Sequence, residues 1–224
     1  MPADSGGEVM PYPNLIPVLA VTFALAGCSS GAAGIRVTPI RYAQGMTDVR
    51  SGDSFVQFPA AGRFSICHGH SCRHVTVLAL DASQWQRVRS LFVPKPASGT
   101  EERRRIASAI ALLESMVGEI TGTAGDRGEN FAGLGRPGQM DCVDESTNST
   151  VYLVMMQNAG LLAYHRVGSR VSRGISRLMG PHFTATIEEI AGGEQYAVDS
   201  WFEDNGLPPH VVSLRDWRKG WKPR

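Results

Sequence analysis

The order of helical and strand patterns along the chain is the feature that most constrains its fold. Apolar residues recur at helical spacing over residues 98–120 and again over residues 142–158. Two strand-like segments follow at 182–188 and 195–201, and the Ala-Gly-Gly-Glu sequence between them predicts a hairpin. Because strands and helices do not alternate, the sequence predicts an α+β fold with an antiparallel sheet instead of a parallel α/β sheet.

Earlier segments predict a second hairpin and a further helix. Residues 63–80 contain two strand-like stretches around a turn at 68–71. Asp81 precedes a helical stretch over residues 84–92 and is a suitable N-cap. Residues 121–141 are rich in glycine and polar residues, which predicts a long loop of the kind that often carries function.

An apolar run at residues 15–26 lies directly before Gly27, Cys28 and Ser29. It has the length of the hydrophobic segment of a signal peptide and is too short to span a bilayer as a helix. The small residues before the cysteine resemble the lipobox of bacterial lipoproteins. That resemblance implies that residues 1–27 are a removed signal peptide and that Cys28 carries a lipid anchor.

Two features of this N-terminus leave alternatives open. No lysine or arginine precedes Arg36, and the true start could be Met1 or Met10. The apolar run could also be a buried segment of the domain. If the lipobox operates, we expect the protein on the periplasmic face of the cell envelope, anchored to the membrane through Cys28. In a Gram-negative cell we expect the outer membrane, because Ser29 does not favour inner-membrane retention.

The remaining chain divides into a tether and one domain. Residues 28–60 are rich in Gly, Ala, Ser and Thr, which indicates a tether, although 35–42 and 54–58 could add an edge strand. Residues 61–224 form the predicted domain. The whole chain has 224 residues, is 42% hydrophobic and 19% charged, and carries a net charge of +1. This balance excludes wholesale disorder and a strongly basic nucleic-acid surface, so we expect no nucleic-acid partner.

Two of the four cysteines, Cys67 and Cys72, flank a predicted hairpin turn that also contains His68 and His70. In an oxidising compartment this spacing favours a disulfide. Cysteine and histidine are also zinc ligands, and free thiols are a third alternative, but the spacing matches no standard zinc site. We therefore predict a disulfide, no metal and no cofactor.

Cys142 lies where the glycine-rich loop enters a predicted helix. The N-terminus of a helix carries partial positive charge and free N–H groups, which would lower the pKa of a thiol and bind an oxyanion. Asp144 and Glu145 follow in the first turn and should complement the helix dipole, with at least one directed away from the sulfur. A buried core cysteine is the simpler alternative for Cys142.

His182 and Asp199 are predicted on the two strands of the C-terminal hairpin. With a turn at residues 191–194 they fall roughly opposite each other, and side chains that are opposite across antiparallel strands share a face. A nucleophilic cysteine needs a base, and that base needs an orienting group. Taken singly, His182 could be satisfied by a backbone carbonyl and Asp199 could belong to a turn.

Three short motifs in this order resemble the transglutaminase-like cysteine proteinase superfamily, in particular its bacterial members. They are Gly-Gln-Met-Asp-Cys-Val-Asp at 138–144, Gly-Pro-His-Phe-Thr-Ala at 180–185, and Tyr-Ala-Val-Asp-Ser-Trp at 196–201. The resemblance implies a papain-like core, with the nucleophile at the start of a helix packed on an antiparallel sheet. It implies Cys142 as nucleophile, His182 as general base and acid, and Asp199 as the orienting group. By looser analogy, Gln139 would line the oxyanion hole.

This reading predicts an envelope-anchored thiol enzyme that cleaves or transfers an amide or peptide acyl group through a thioester. Peptides, proteins and peptidoglycan-type amides all fit as substrates, and hydrolysis is favoured because water needs no acceptor site. The alternative is a non-catalytic lipoprotein that uses the same fold to bind a protein partner.

Two other polar features have simpler interpretations. Arginine recurs between the helix and His182, where we expect a solvated face: Arg166, Arg170, Arg173 and Arg177. The C-terminal tail contains two tryptophans among basic residues, which indicates an interfacial anchor or a packed terminus: Trp217 and Trp221.

Overall fold

Helices and antiparallel strands make up the part of the chain that the computed structural model describes, residues 55–130, 133, 135–176 and 180–224. Four helices and seven strands occur within these residues, in the order β1 (Phe64–His68), β2 (His74–Leu78), α1 (Ala82–Ser90), α2 (Gly99–Thr121), α3 (Cys142–Asn158), β3 (His165–Val167), β4 (Val171–Ser176), β5 (Gly180–Glu189), β6 (Gln195–Asp199), β7 (His210–Ser213) and α4 (Leu214–Arg218). The predicted α+β class is therefore confirmed.

The predictions for the N-terminus fall mostly outside the described residues. The signal peptide at 1–27, the lipid site Cys28 and the tether up to residue 54 all lie there. Of the edge strand expected at 54–58, the described residues 55–58 are not in a strand, and the nearest pairing is one isolated bridge between Ala60 and Arg63. Pro59 lacks an N–H group, which disfavours continued pairing there. None of the described helices has the length and apolar character needed to cross a membrane.

The strands form two antiparallel sheets. β1 pairs with β2 around the turn that contains the cysteines, with Phe64 opposite Leu78. The larger sheet has the order β3-β5-β6-β7, and β4 also pairs with β5. The long β5 therefore has β4 beside its first half and β3 beside its second half, with β6 on its other edge. Strand β5 therefore pairs with three other strands of the sheet.

Helix α3 is the core of the domain, packed against β5, β1 and α2. Its residues 144–156 are buried on all sides, so the amphipathic stripe expected from the sequence is not what the structure has. The polar residues among them are satisfied within the fold. Thr150 donates to the carbonyl of Ser146, and Asn148 exchanges hydrogen bonds with the backbone of Cys67. Such pairing allows a polar helix face to be buried.

The helix starts agree with the capping residues in the sequence. Asp81 caps α1 in a capping box with Gln84, and Ser98 caps α2. Helix α2 ends at Gly122 in the left-handed conformation, with φ of 77°, as is usual for a C-terminal glycine. Strands β4 and β7 and helix α4 were not predicted, because their short polar sequences carry no clear periodicity.

Candidate active site

Cys142 is the first residue of helix α3, as the sequence predicts. Asp141 is the N-cap, and its Oδ1 accepts hydrogen bonds from the N–H groups of Val143 and Asp144 at 3.0 Å each. The N–H of Glu145 then begins the helical ladder by donating to the carbonyl of Asp141. Asp141 therefore accepts hydrogen bonds from the N–H groups of the three residues that follow Cys142, through its side chain or its carbonyl. The N–H of Cys142 itself takes no part in these bonds.

The thiol of Cys142 lies against the backbone of β5. Its Sγ is 3.8 Å from the carbonyl oxygen of Pro181, and it also interacts with the N–H of Phe183. These two backbone groups belong to the neighbours of His182 in the chain. The pairing of β5 with β6 extends only as far as Ala185 and Val198. The thiol therefore contacts β5 just beyond the residues that pair with β6.

His182 and Asp199 form a buried pair. Nε2 of His182 is 2.7 Å from Oδ2 of Asp199, and both side chains are 1% exposed. The pair was predicted to fall roughly opposite in the hairpin, and the observed register of Ala185 with Val198, continued by one residue, sets Asp199 opposite Thr184. His182 is thus two residues from the position directly opposite Asp199. An even offset keeps both side chains on one face of the sheet, so the contact still forms.

Hydrogen bonding determines the tautomer of His182. Oδ2 of Asp199 also accepts a hydrogen bond from Nε1 of Trp217 at 2.6 Å. An ionised carboxylate only accepts, so Nε2 of His182 must donate and carry a proton. In the neutral ring Nδ1 then holds the lone pair. Nδ1 is buried and has no hydrogen-bond partner among the described residues, which leaves it free to accept a proton.

Aromatic side chains surround the imidazole of His182. The ring centroids of Trp201, Phe202 and Trp217 lie 4.8, 5.4 and 5.6 Å from that of His182. Trp217 is fully buried, so of the two roles expected for the tail, the packed terminus is the one observed. The guanidinium of Arg173 stacks over Trp217, 4.4 Å from the ring centroid. These contacts fix the orientation of the ring, and sequence reasoning missed Trp217 because nothing local links it to Asp199.

Arg170 lies next to the thiol instead of in solvent. It is 5% exposed, donates to the carbonyl of Val143 at 3.3 Å and sits 5.0 Å from the ring centroid of Phe183. The solvated face predicted for the arginines was therefore wrong for Arg170 and for the stacked Arg173. Arg166 does fit that prediction, with a 60% exposed side chain paired to Glu188, and Arg177 lies outside the described residues.

The environment of Cys142 opposes ionisation. Burial raises the pKa of the Cys142 thiol to about 11, and the charges of Asp141 and Asp199 add to the rise. The N–H of Phe183 and the charge of Arg170 act in the opposite direction. The lowered pKa expected at a helix N-terminus is thus not observed, since burial outweighs the favourable backbone groups. The resting thiol is neutral at pH 7, and its proton must leave during any reaction.

The disulfide hairpin supports the start of α3. Cys67 and Cys72 are bonded, the pairing that the sequence favoured. His70, Ser71 and Cys72 all have left-handed φ values, of 66°, 53° and 53°. The N–H groups of His70 and Cys72 donate to Asp144 at 2.8 and 2.6 Å, and that of Ser71 donates to Asp141 at 2.9 Å. Three successive amides therefore hold the two acids of the cap.

The same contacts explain Asp144 and Glu145, which were expected to complement the helix dipole. Burial raises the pKa of Asp144 to about 7, and the charge of Asp141 contributes. Glu145 turns away from the hairpin and accepts a hydrogen bond from the hydroxyl of Ser200 at 2.8 Å. Asp144 is thus held by the hairpin amides and Glu145 by Ser200.

Glu145 belongs to a buried carboxyl cluster with Glu114 and Asp126. All three residues are 4% exposed, and burial raises the pKa of each carboxyl. Ser149 donates to Ser200 at 3.0 Å, so the cluster connects α3 to the residue that follows Asp199. These acids lie beneath the candidate site and were not singled out from the sequence.

Gln139, the predicted oxyanion donor, is engaged inside its own loop. Its Nε2 donates to the carbonyl of Gly125 at 2.9 Å, and its Oε1 accepts from the side chain of Asn130. The oxyanion role of Gln139 stays a prediction. The N–H of Cys142, which the cap leaves out, is an alternative donor at the nucleophile itself.

One group of side chains has the spacing of a cation site. His70, Asp141 and Asp144 offer ligand atoms within 4.8 Å of one another. Each oxygen of the two carboxylates already accepts a hydrogen bond from the hairpin or the helix. Hydrogen bonds to the backbone therefore hold both carboxylates in place.

Removing the disulfide should destabilise the domain. We expect the Cys67→Ser/Cys72→Ser variant to lose about 2 kcal/mol of unfolding free energy, because a short covalent loop restricts the unfolded chain. Urea unfolding followed by circular dichroism measures the change. Cys142→Ser is the matched control, because it removes a cysteine and leaves the bridge intact. Equal stability of the double variant and the wild type would contradict the supporting role of the hairpin.

Comparisons with protein-family models, with curated proteins and with solved structures gave no match for this chain. The candidate site is therefore supported by its own geometry.

Proposed function

We propose that the protein is a thiol acyl-transfer enzyme in which Cys142 is the nucleophile, His182 the general base and acid, and Asp199 the orienting group. The observation that carries the proposal is the state of His182. Its Nε2 donates to Asp199, its buried Nδ1 has no partner among the described residues, and its neighbours in the chain contact the sulfur of Cys142. A base held in one tautomer, on the strand whose backbone contacts the thiol, supports nucleophilic catalysis, in which the ring takes the thiol proton.

The reaction would start with an amide carbonyl placed over the sulfur. As Sγ of Cys142 attacks the carbonyl carbon, its proton passes to Nδ1 of His182. The carbonyl oxygen becomes an oxyanion, for which the N–H of Cys142, which the cap leaves out, is the proposed backbone donor. When the C–N bond breaks, the leaving amine takes the proton from Nδ1 and a thioester remains on Cys142.

The second half of the reaction would reverse the proton movement. Water, or an acceptor amine, attacks the thioester carbon while Nδ1 of His182 removes a proton from it. The thiolate leaves and takes that proton back, which regenerates neutral Cys142. Hydrolysis is favoured because water needs no binding site, and peptide, protein or peptidoglycan-type amides are the proposed substrates.

The raised pKa of Cys142 favours general-base catalysis over a preformed ion pair. A thiol with a pKa of about 11 holds its proton at neutral pH, so attack and proton transfer would occur together. The charge that then develops on the imidazole is balanced by Asp199, which Trp217 and the surrounding rings hold in place.

The finer fold assignment also belongs to this proposal. A helix that begins with the nucleophile and packs on an antiparallel sheet carrying His182 and Asp199 supports a papain-like, transglutaminase-like core. With the lipid anchor proposed at Cys28, the enzyme would act at the cell envelope.

Labelling with iodoacetamide tests the triad. At pH 7 we expect Cys142 of the wild type to react, and Cys142 of His182→Gln to react about 100-fold more slowly, because general-base assistance contributes about 10²–10⁴-fold. Peptide mapping by mass spectrometry separates Cys142 from Cys28.

Two controls accompany the labelling. Cys142→Ser should give no label at this position, and unfolded His182→Gln should react at Cys142 as fast as the unfolded wild type. Equal rates in the folded wild type and folded His182→Gln would overturn the enzyme proposal and leave the non-catalytic binding protein as the better interpretation.

A further inference from the structure

A cavity of about 360 Å³ lies between the disulfide hairpin and the loop that follows α2. The hairpin contributes His68, Gly69, His70, Arg73 and His74, and the rest of the lining comes from residues around the α2 end and residues 135–138. None of the triad residues lines this cavity. Its ligand is therefore a separate question from the chemistry at Cys142.

The lining of the cavity carries positive charge. Arg73 and Arg136 line it, and no aspartate or glutamate is among its lining residues. Neither arginine forms an ion pair within the described part of the chain, whereas Arg105 and Arg127 each pair with an acid. Two unpaired guanidinium groups around one concave space produce a positive potential that attracts an anion.

The other polar groups of the lining have partners of their own. His70 is 8% exposed and its Nε2 donates to the carbonyl of Gly133 at 3.1 Å, so in the neutral ring Nδ1, which has no partner among the described residues, is an acceptor. The rings of His68 and His74 lie 5.5 Å apart at the mouth of the same hairpin. The hydroxyl of Thr121 donates to the carbonyl of Val117 at 3.0 Å and accepts from the hydroxyl of Thr123 at 2.9 Å, so both hydroxyl protons are already used. The donors in the lining that are open to an oxyanion are therefore the guanidinium groups of Arg73 and Arg136, the group that oxyanions select most often.

The backbone around the cavity is too tightly packed for larger residues at two positions. A Cβ at Gly69, where φ is +82°, would lie 2.7 Å from Cδ2 of His74. A Cβ at Gly138, where φ is +77°, would lie 2.6 Å from the carbonyl oxygen of Gly122. Glycine at both positions lets the hairpin and the loop adopt the conformations that border the cavity.

We propose that this cavity binds an oxyanion group, a phosphate or a carboxylate, between Arg73 and Arg136. Both groups present the paired oxygens that a guanidinium recognises in bidentate fashion. The hairpin that contributes Arg73 also holds the N-cap acids of α3, so the bound anion would rest on the element that braces the start of that helix. The site stands independently of the proposed acyl transfer.

Calorimetric titration of the full chain with inorganic phosphate, and separately with acetate, tests the site at ionic strength held constant with chloride. We expect saturable binding of at least one ion to the wild type. Arg73→Gln/Arg136→Gln should bind that ion about tenfold or more weakly, because hydrogen bonds to charged groups are lost. Binding of phosphate alone or acetate alone would identify the class of group, and either supports the site.

A matched variant separates the cavity from net charge. Arg87→Gln/Arg89→Gln removes the same two charges from exposed positions on α1 and should bind as the wild type does. Equal loss in both double variants, or no saturable binding of either ion to the wild type, would overturn the proposal. If the cavity double variant unfolds at lower temperature, the single replacements Arg73→Gln and Arg136→Gln, each at an exposed position, supply the same comparison.

Discussion

Replacing Asp199 by asparagine should slow acylation of Cys142 by about 10³–10⁴-fold, as expected when a triad loses its orienting carboxylate. The reason lies in the charge of Asp199. Its Oδ2 accepts from both Nε2 of His182 and Nε1 of Trp217, so an asparagine whose oxygen takes that place keeps both hydrogen bonds but loses the negative charge. The imidazolium that forms when Nδ1 takes the thiol proton is then left without its balancing charge. If the NH₂ group takes that place instead, Nε2 has to accept, the ring proton moves to Nδ1, and a protonated Nδ1 cannot remove the proton from the thiol.

The rate is measured with an activated nitrophenyl ester, which releases its chromophore when the thioester forms. Asp216→Asn on α4 makes the same chemical change at a side chain that is 48% exposed, and it should leave the rate unchanged. Trp217→Phe retains an aromatic ring but removes the N–H that holds Asp199, and we expect a smaller loss of about tenfold. An Asp199→Asn rate within threefold of the wild type, with the fold intact, would contradict the assignment of Asp199.

The second large effect concerns stability above neutral pH. Burial raises the pKa of Glu114 to about 8, although a hydrogen bond from the N–H of Gly206 opposes the rise. In the unfolded chain the same carboxyl has its ordinary pKa of 4.5. Between these two values the folded protein holds a proton that the unfolded chain has lost. The contribution of Glu114 to folding is therefore fully present below pH 4.5 and falls as the pH rises towards 8.

Each such group lowers the unfolding free energy by about 1.4 kcal/mol per pH unit within that window. Asp126 and Glu145 shift in the same direction, because they are buried with Glu114 and would repel it if all three were charged. Urea unfolding at pH 5, 6, 7 and 8 measures the slope.

A glutamine at Glu114 keeps the neutral form at every pH. We expect Glu114→Gln to show a flatter dependence of unfolding free energy on pH than the wild type. Glu119→Gln makes the same change at an exposed position on the same helix and should leave the slope as it is. If Glu114→Gln and Glu119→Gln had identical slopes, Glu114 would not hold a proton in the folded protein at neutral pH.

Much of the fold followed from local patterns. The capping residues and periodicities predicted α1, α2 and α3 to within about two residues at most of their ends, and the turn sequences predicted both hairpins. Cys142 at the start of α3 and the pairing of Cys67 with Cys72 could be expected because both depend on residues close together in the chain. The contact between His182 and Asp199 could be expected because the hairpin alternation sets the face of each side chain.

Other features depended on contacts between distant segments. Trp217 binds Asp199 through a tail that the sequence alone could not orient, and Arg170 is buried beside α3 although arginine is usually solvated. Burial also decided the direction of the Cys142 pKa shift. It raises the pKa of the thiol, whereas the helix N-terminus by itself predicts a lower pKa.

The sequence by itself determined the α+β class, the starts of the helices, the disulfide and the set of candidate groups, because backbone propensity, capping and side-chain alternation act over a few residues. The tertiary structure decided how those groups are solvated and oriented. It left Nδ1 of His182 without a partner, raised the pKa of Cys142, and gathered Glu114, Asp126 and Glu145 out of water. Solvation and charge depend on every element that packs around a group, and no local pattern contains that information.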